Sequence, residues 1–164
     1  MPKTSAVAVS TLSDLDGCAT MAIADALRVI LADAYAIYLK TKGFHWHVSG
    51  PYFRDYHLLL DEQAAEILAI TDAIAERARK TGHTTIRSIG DIARHQTIKD
   101  HDKKFVTPQD MMSELRADNL LLVESLRRAK EIADKANDNA TSGLIDTWTD
   151  EAERRAWFLF EISR

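Results

Sequence analysis

Apolar residues in this chain recur at steps of three, four and seven, the pattern of helices that bury one side. Ile23, Leu27, Ile30, Ala34, Ile37 and Phe44 form a first stripe, which predicts a helix over residues 17–47. Gly50-Pro51 then breaks the chain. Proline suits the start of the next helix, because its missing N–H would have no helical partner there. Leu60, Ala64, Ile67, Ile74 and Ala78 mark a second stripe, with Gly82 as its stop. Ser88, followed three residues later by Asp91, predicts the cap of a short helix within SIGDIARHQ. Thr107-Pro108-Gln109-Asp110 predicts the start of a third long helix: a cap, a first-turn proline and an acid near the positive helix end. Its stripe is Met111, Leu115, Leu122, Leu126, Ala129 and Ala133. A break at Asn137-Asp138-Asn139 precedes a last helix carrying Ile145, Trp148, Ala152 and Leu159. The six glycines and three prolines fall largely between these segments. The predicted fold class is all-α, a four-helix bundle with a short extra helix between the second and third long ones. Residues 1–16 are expected to form a flexible N-terminal tail, and 17–164 the bundle domain.

The second helix carries more than a core stripe. With Leu60 as zero, its apolar stripe lies within about 40° at about 100° per residue. His57, Asp61, Ala65, Leu68, Asp72 and Glu76 fall on a flank between about 60° and 160°. A solvated face would mix Lys, Arg and Glu, whereas this flank mixes small or apolar residues with metal-ligand types. It reads as partly buried, and therefore as an interface. Asp72 and Glu76 sit one turn apart on one side. His45 and His57 flank the Gly-Pro break, close enough for adjacent helix ends to bring them together.

Distance then constrains the chemistry. Fifteen residues separate His57 from Asp72 along one helix, roughly 22 Å. One chain cannot close all four side chains around a metal. Two copies packed antiparallel about a two-fold axis can, giving two identical sites per pair. Against this stands the plain reading that i, i+4 acids are common on helix surfaces and that titratable clusters are often structural. Two acids and two histidines at a desolvated interface would, however, cost several kcal/mol unless paired or metal-bound. The Glu-x-x-His pair of di-iron bundles occurs nowhere in the chain.

Composition narrows the classes. The single cysteine, Cys18, forms no disulfide within the chain, as expected for a reducing cytoplasm. No segment resembles a signal peptide or a bilayer span, so no membrane association is expected. A net charge of −4 disfavours a general nucleic-acid binder, and only Lys3 is basic before residue 17.

The stretch FHWHVSGPYFRDYHLLLDEQAAEILAITDAIAERARKTG resembles the core motif of the Dps family, the DNA-binding proteins from starved cells or mini-ferritins. The match comprises His45, Trp46 directly after it, Gly50-Pro51, His57, Asp72 and Glu76, at the family's spacing. The likeness extends over roughly residues 17–162. It implies a ferritin-like homo-oligomer, a hollow dodecamer with ferroxidase sites across its two-fold interfaces. His45 and His57 would come from one subunit and Asp72 and Glu76 from its neighbour. The implied activity is oxidation of Fe(II), preferentially by hydrogen peroxide, with storage of the ferric product as a mineral. This removes both reactants that would otherwise make hydroxyl radicals beside DNA.

Imidazoles and carboxylates suit iron, and zinc or manganese as substitutes, so ligand type alone does not settle the metal. Imidazoles bind metal only when neutral, so activity is expected to fall as pH drops through the histidine range. Asp61, one turn after His57, reads as a partner to a ligand or as a weak extra ligand. Trp46 reads either as an electron donor beside the site or as a packing residue. His47 is expected to be structural or on the surface, and His83, His95 and His101 exposed. Asp138, Asp146 and Asp150 are candidates to line an acidic three-fold pore that draws in Fe(II), against the plain reading of a solvated helix start. Twelve copies at −4 would sum to about −48, attracting cations and repelling DNA. DNA-binding members generally use lysine-rich tails, which the lysine-poor N-terminus and the end EISR do not match, so DNA binding is doubtful. Two other readings remain open from the residues. One is a nucleoid-compacting protein with incidental iron chemistry; the other is a structural helical oligomer whose four candidate ligands merely satisfy one another.

Overall fold

The computed structural model describes residues 13–164, and every regular element in them is a helix. The helices are α1 (Gly17–His47), α2 (Phe53–Lys80), α3 (Ile89–His95), α4 (Pro108–Lys135) and α5 (Asn139–Ile162). The four long helices make the bundle, and α3 lies against α1. All the stripe residues named above are buried. The expected flexible tail over residues 1–16 lies mostly outside the described residues; Asp16 is described, and its side chain caps α1 by accepting from the N–H groups of Cys18 and Ala19.

Local chemistry explains most boundaries. At the end of α2, Gly82 takes φ +88°, its N–H donates to Arg79 and the His83 N–H donates to Ala78. This closes the helix with a Schellman motif, in which a left-handed residue is cheapest as glycine. Asn137 does the same for α4 at φ 57°, and the next residue, Asp138, already caps α5. That economy is why two long antiparallel helices are joined by so short a turn. The break at Gly50-Pro51 differs from expectation. Gly50 adopts φ +114° and its carbonyl accepts from Phe53, so Pro51 and Tyr52 belong to a turn and α2 begins at Phe53. Thr107 caps α4 by accepting from the Asp110 N–H at 3.2 Å. Thr107→Ala should lower stability by about 1 kcal/mol, measured by urea unfolding at fixed protein concentration.

The core is split. A large apolar cluster includes Ile30, Ile37, Ile67, Ile74, Leu122, Leu126, Ile145 and Trp148. A smaller one, at the end of the bundle that carries His45, is built from Phe44, Val48, Tyr56, Leu60, Met111, Met112, Leu115 and Leu159. Between them each long helix contributes buried polar residues: Lys40 from α1, Gln63 from α2, Asp118 and Asn119 from α4, and Arg155 from α5. Lys40 bridges Asp118 at 2.7 Å and Glu114 at 3.0 Å. Burial pushes the Asp118 carboxyl up, outweighing the hydrogen bond and charge of Lys40 that pull it down. The loop after α3 is strapped to the same region. Asp33, fully buried, accepts from the N–H groups of Thr97 and Ile98 and from the Thr97 hydroxyl.

Candidate metal centre

His45 closes α1 and His57 sits in the first turns of α2, so the Gly50-Pro51 turn folds them onto each other. Their rings stack at 3.8 Å with 20° between planes. His45 Nδ1 lies 2.8 Å from the carbonyl oxygen of His57, and His57 Nδ1 lies 2.9 Å from the carbonyl oxygen of His45. A carbonyl only accepts, so each Nδ1 carries hydrogen and donates. The consequence is chemical: in the neutral rings Nε2 is the bare nitrogen on both, held in a fixed direction, as metal-binding imidazoles are held by a hydrogen bond at the opposite nitrogen. Phe53 packs on the His57 ring at 4.9 Å.

Asp61 stands one turn further along α2, its Oδ1 4.0 Å from His45 Nε2. Lys42, a residue not among the sequence candidates, donates to that oxygen at 2.7 Å and lies 6.0 Å from the centre of the Trp46 ring. The hydrogen bond from Lys42, then its charge, holds the Asp61 carboxyl below the usual carboxylate range. The i, i+4 relation of Lys42 to Trp46, and its place one turn before His45, was the available signal. Trp46 is 61 % exposed, so within one chain it is not a core residue.

Asp72 and Glu76 lie far along the same helix, both exposed, and Glu76 accepts from Lys80 at 3.2 Å. The structure thus brings His45, His57 and Asp61 together and leaves Asp72 and Glu76 apart from them. Among the described residues no group of three or more His, Cys, Asp or Glu side chains is placed to hold a metal within one chain. The strip of α2 between the histidines and the carboxylates exposes Leu58, Ala65 and Leu68, and Trp46 and Phe53 are exposed at its histidine end.

The expectations for Asp138, His83, His95 and His101 need correction. Asp138 does not line an open acidic surface: it is 3 % exposed. Its carboxylate pairs with Arg77 at 2.7 and 2.9 Å and accepts from the Thr141 N–H and hydroxyl, because the residue between two helices must cap the second. Asp146 is exposed but bridges Lys130 at 2.9 Å, and Asp150 is exposed. His101 is half-buried rather than exposed, its side chain turned inward with Nδ1 2.7 Å from Glu114 and its ring edge-on to Phe44. His83 is half-buried against the Thr20 hydroxyl, 3.0 Å away. His95 is also half-buried, its Nδ1 donating to the Asp91 carbonyl at 2.8 Å, while exposed His47 donates to the Gly43 carbonyl at 2.6 Å.

Comparison with known proteins agrees with this architecture. The model of the ferritin-like domain family matches residues 24–163. An uncharacterized low temperature-induced protein of Nostoc is 34 % identical over 130 residues, covering 79 % of this chain and 73 % of its own. DNA protection during starvation protein 1 of Deinococcus radiodurans is 31 % identical over 147 residues, covering 85 % and 68 %. The crystal structure of a Dps protein from Vibrio cholerae, described as a member of a broad superfamily of ferritin-like diiron-carboxylate proteins, superposes with a TM-score of 0.90 at 25 % identity, covering 98 % of this chain and all of that one.

Proposed function

The chain belongs to the Dps family of ferritin-like proteins, and from that premise we propose that it oxidises and stores iron, with Fe(II) as substrate and hydrogen peroxide as the preferred oxidant. The observation that carries this reading is the pair of mutually clamped imidazoles, each with Nε2 left to bind, on a chain that holds its candidate carboxylates roughly 22 Å away. A second copy lying antiparallel on α2 supplies them: His45 and His57 from one chain, Asp72 and Glu76 from the other. The exposed Leu58, Ala65 and Leu68 give that contact an apolar centre, as an isologous interface requires. Repetition of such pairs builds a twelve-subunit hollow shell, in which Asp146 and Asp150 are the remaining candidates to draw in cations.

The donor set fits iron: neutral imidazole suits Fe(II), and carboxylates suit the harder Fe(III). Zinc and manganese satisfy the same donors. The reaction balances as two ferrous ions giving one electron each to a peroxide, which takes up two protons, breaks its O–O bond and leaves as two waters. The protein's part is placement and charge. His45 and His57 hold the substrate ions without rotating, and Asp61 adds negative charge 4.0 Å from His45 Nε2 while tied to Lys42. Exposed Trp46, next to His45 in the chain, is the residue to which the proposal gives the role of electron donor to a reactive oxidant. Among the described residues no helix is long and apolar enough to cross a membrane. A cytoplasmic location is part of the proposal, and DNA binding is not.

Anaerobic addition of Fe(II) followed by peroxide tests the reading. The expected consumption is about one peroxide per two irons, with ferric absorbance retained in a particle that sediments as a closed oligomer. Oxidation no faster than iron in buffer, or protein that stays a lone chain, would overturn it. Retardation of DNA in a gel at physiological salt without added Mg(II) would favour the nucleoid-compacting alternative instead.

A further inference from the structure

The polar residues across the middle of the bundle include one cation whose hydrogen bonds the protein itself does not complete. Arg155 of α5 is 1 % exposed. Its Nε donates to Asn119 Oδ1 at 2.9 Å, and its carbonyl accepts from Gln63 at 3.2 Å. Its Nη1 and Nη2 are buried and donate to no protein atom. Burial lowers the guanidinium pKa to about 10, with the Glu66 and Glu151 charges opposing the shift, so the group remains a cation at neutral pH. Across the seam on α2, half-buried Glu66 accepts from Arg154 through Oε1, while its Oε2 is buried and has no donor. Nη1 stands 4.0 Å from that Oε2. This is too long for a direct hydrogen bond, and it is a separation that a shared water spans. Along the same seam, where α2 and α5 touch only sparsely, runs a cleft of about 20 Å³ lined by Arg155, Glu66, Gln63, Leu59 and Phe158.

We propose that the α2–α5 seam is a binding site for one structural water, which accepts from the Arg155 guanidinium and donates to Glu66 Oε2. Three constraints select that ligand. The cleft has room for one water, which needs about 10–15 Å³, and is too small for an organic guest. The guanidinium repels a free cation and the Glu66 carboxylate repels an anion, so the occupant is neutral. It must offer a lone pair to N–H groups and an O–H to a carboxylate, both from a single heavy atom. Such a water turns two costly unpartnered groups into a chain of charge-assisted hydrogen bonds. The two helices are then joined through a hydrated bridge, with the Gln63 and Arg154 bonds as direct ties across the same seam. The site is independent of the iron chemistry.

A crystal structure of the full-length protein, at a resolution that shows ordered water, tests this. One fully occupied peak should lie within about 3.2 Å of both Arg155 Nη1 and Glu66 Oε2 in every independent subunit. Crystals grown with bromide and rubidium in place of chloride and sodium should show no anomalous signal at that position. In Arg155→Met the peak should be lost, because the donors that hold it are gone. That variant should fold, since exchanging a buried charge for an apolar side chain of similar volume is often neutral or stabilising. The parent crystals decide the matter even if it does not. No peak in the parent, direct contact between Nη1 and Oε2, an anomalous ion in the cleft, or a peak that survives Arg155→Met unchanged would each sink the proposal.

Discussion

A dimer holding one His57→Ala chain and one Asp72→Ala chain should recover one working ferroxidase site of its two, although each variant alone has none. The reason is geometric. If every site takes imidazoles from one chain and carboxylates from the other, the mixed dimer concentrates both lesions in one site and leaves the second intact. Each single variant should lose oxidation rate by about 100-fold or more, since even indirect partners of metal ligands are worth 10–100-fold. After random reassembly about half of the dimers are mixed, so about a quarter of all sites should return. Recovery to that level, absent when the variants are only stirred together without dissociation, is the expected outcome. Variants that oxidise iron like the parent would remove these residues from the site. Mixed dimers as inert as either parent variant would remove the shared-site geometry.

The second large effect concerns Asp138, which the structure moves from a candidate pore to the α4–α5 turn. Asp138→Ala removes the cap of α5 and leaves the Arg77 guanidinium without the carboxylate it grips. Breaking a buried pair costs about 3–5 kcal/mol, which for a chain of this length lowers the unfolding midpoint by about 10 °C. Iron entry in the surviving folded protein should be unchanged, because the side chain does not face solvent. The pH dependence has a definite sign. Burial raises the Asp138 pKa, but the hydrogen bonds from Arg77 and Thr141 together with the Arg77 charge outweigh it, and the net shift is downward. Stability from such a group is present above its unfolded pKa, near 3.9, and disappears as pH falls through the lower folded value. The advantage of the parent over Asp138→Asn in urea unfolding should therefore be steady at neutral pH and shrink below about pH 3.9. An advantage that persists undiminished into strong acid would contradict the ion-pair account.

Much of this protein was readable from order alone. The stripes through Ile23, Leu60, Leu115 and Ile145 became core without exception, because burial at 3.6-residue spacing is a property of one helix. Gly82, Ser88 and Thr107 marked helix ends for the same reason: a left-handed residue or a capping oxygen acts on its own few neighbours. The spacing of His57 and Asp72 also set a distance that no refolding of a straight helix can shorten.

What order could not reveal was which polar groups meet. Gln63 bonds Arg155 across 92 positions, Lys40 meets Asp118 across 78, and Arg77 meets Asp138 across 61. No local pattern encodes such pairs, since they depend on the rotation and offset of one packed helix against another. The reciprocal clamp of His45 and His57 is a smaller case of the same thing. Their positions made them neighbours, but only the packed turn decided that each ring gives its Nδ1 hydrogen to the other's carbonyl. Periodicity along a helix is set by its own backbone, whereas the partner of a buried charge is set by the register between helices, and that exists only in the folded bundle.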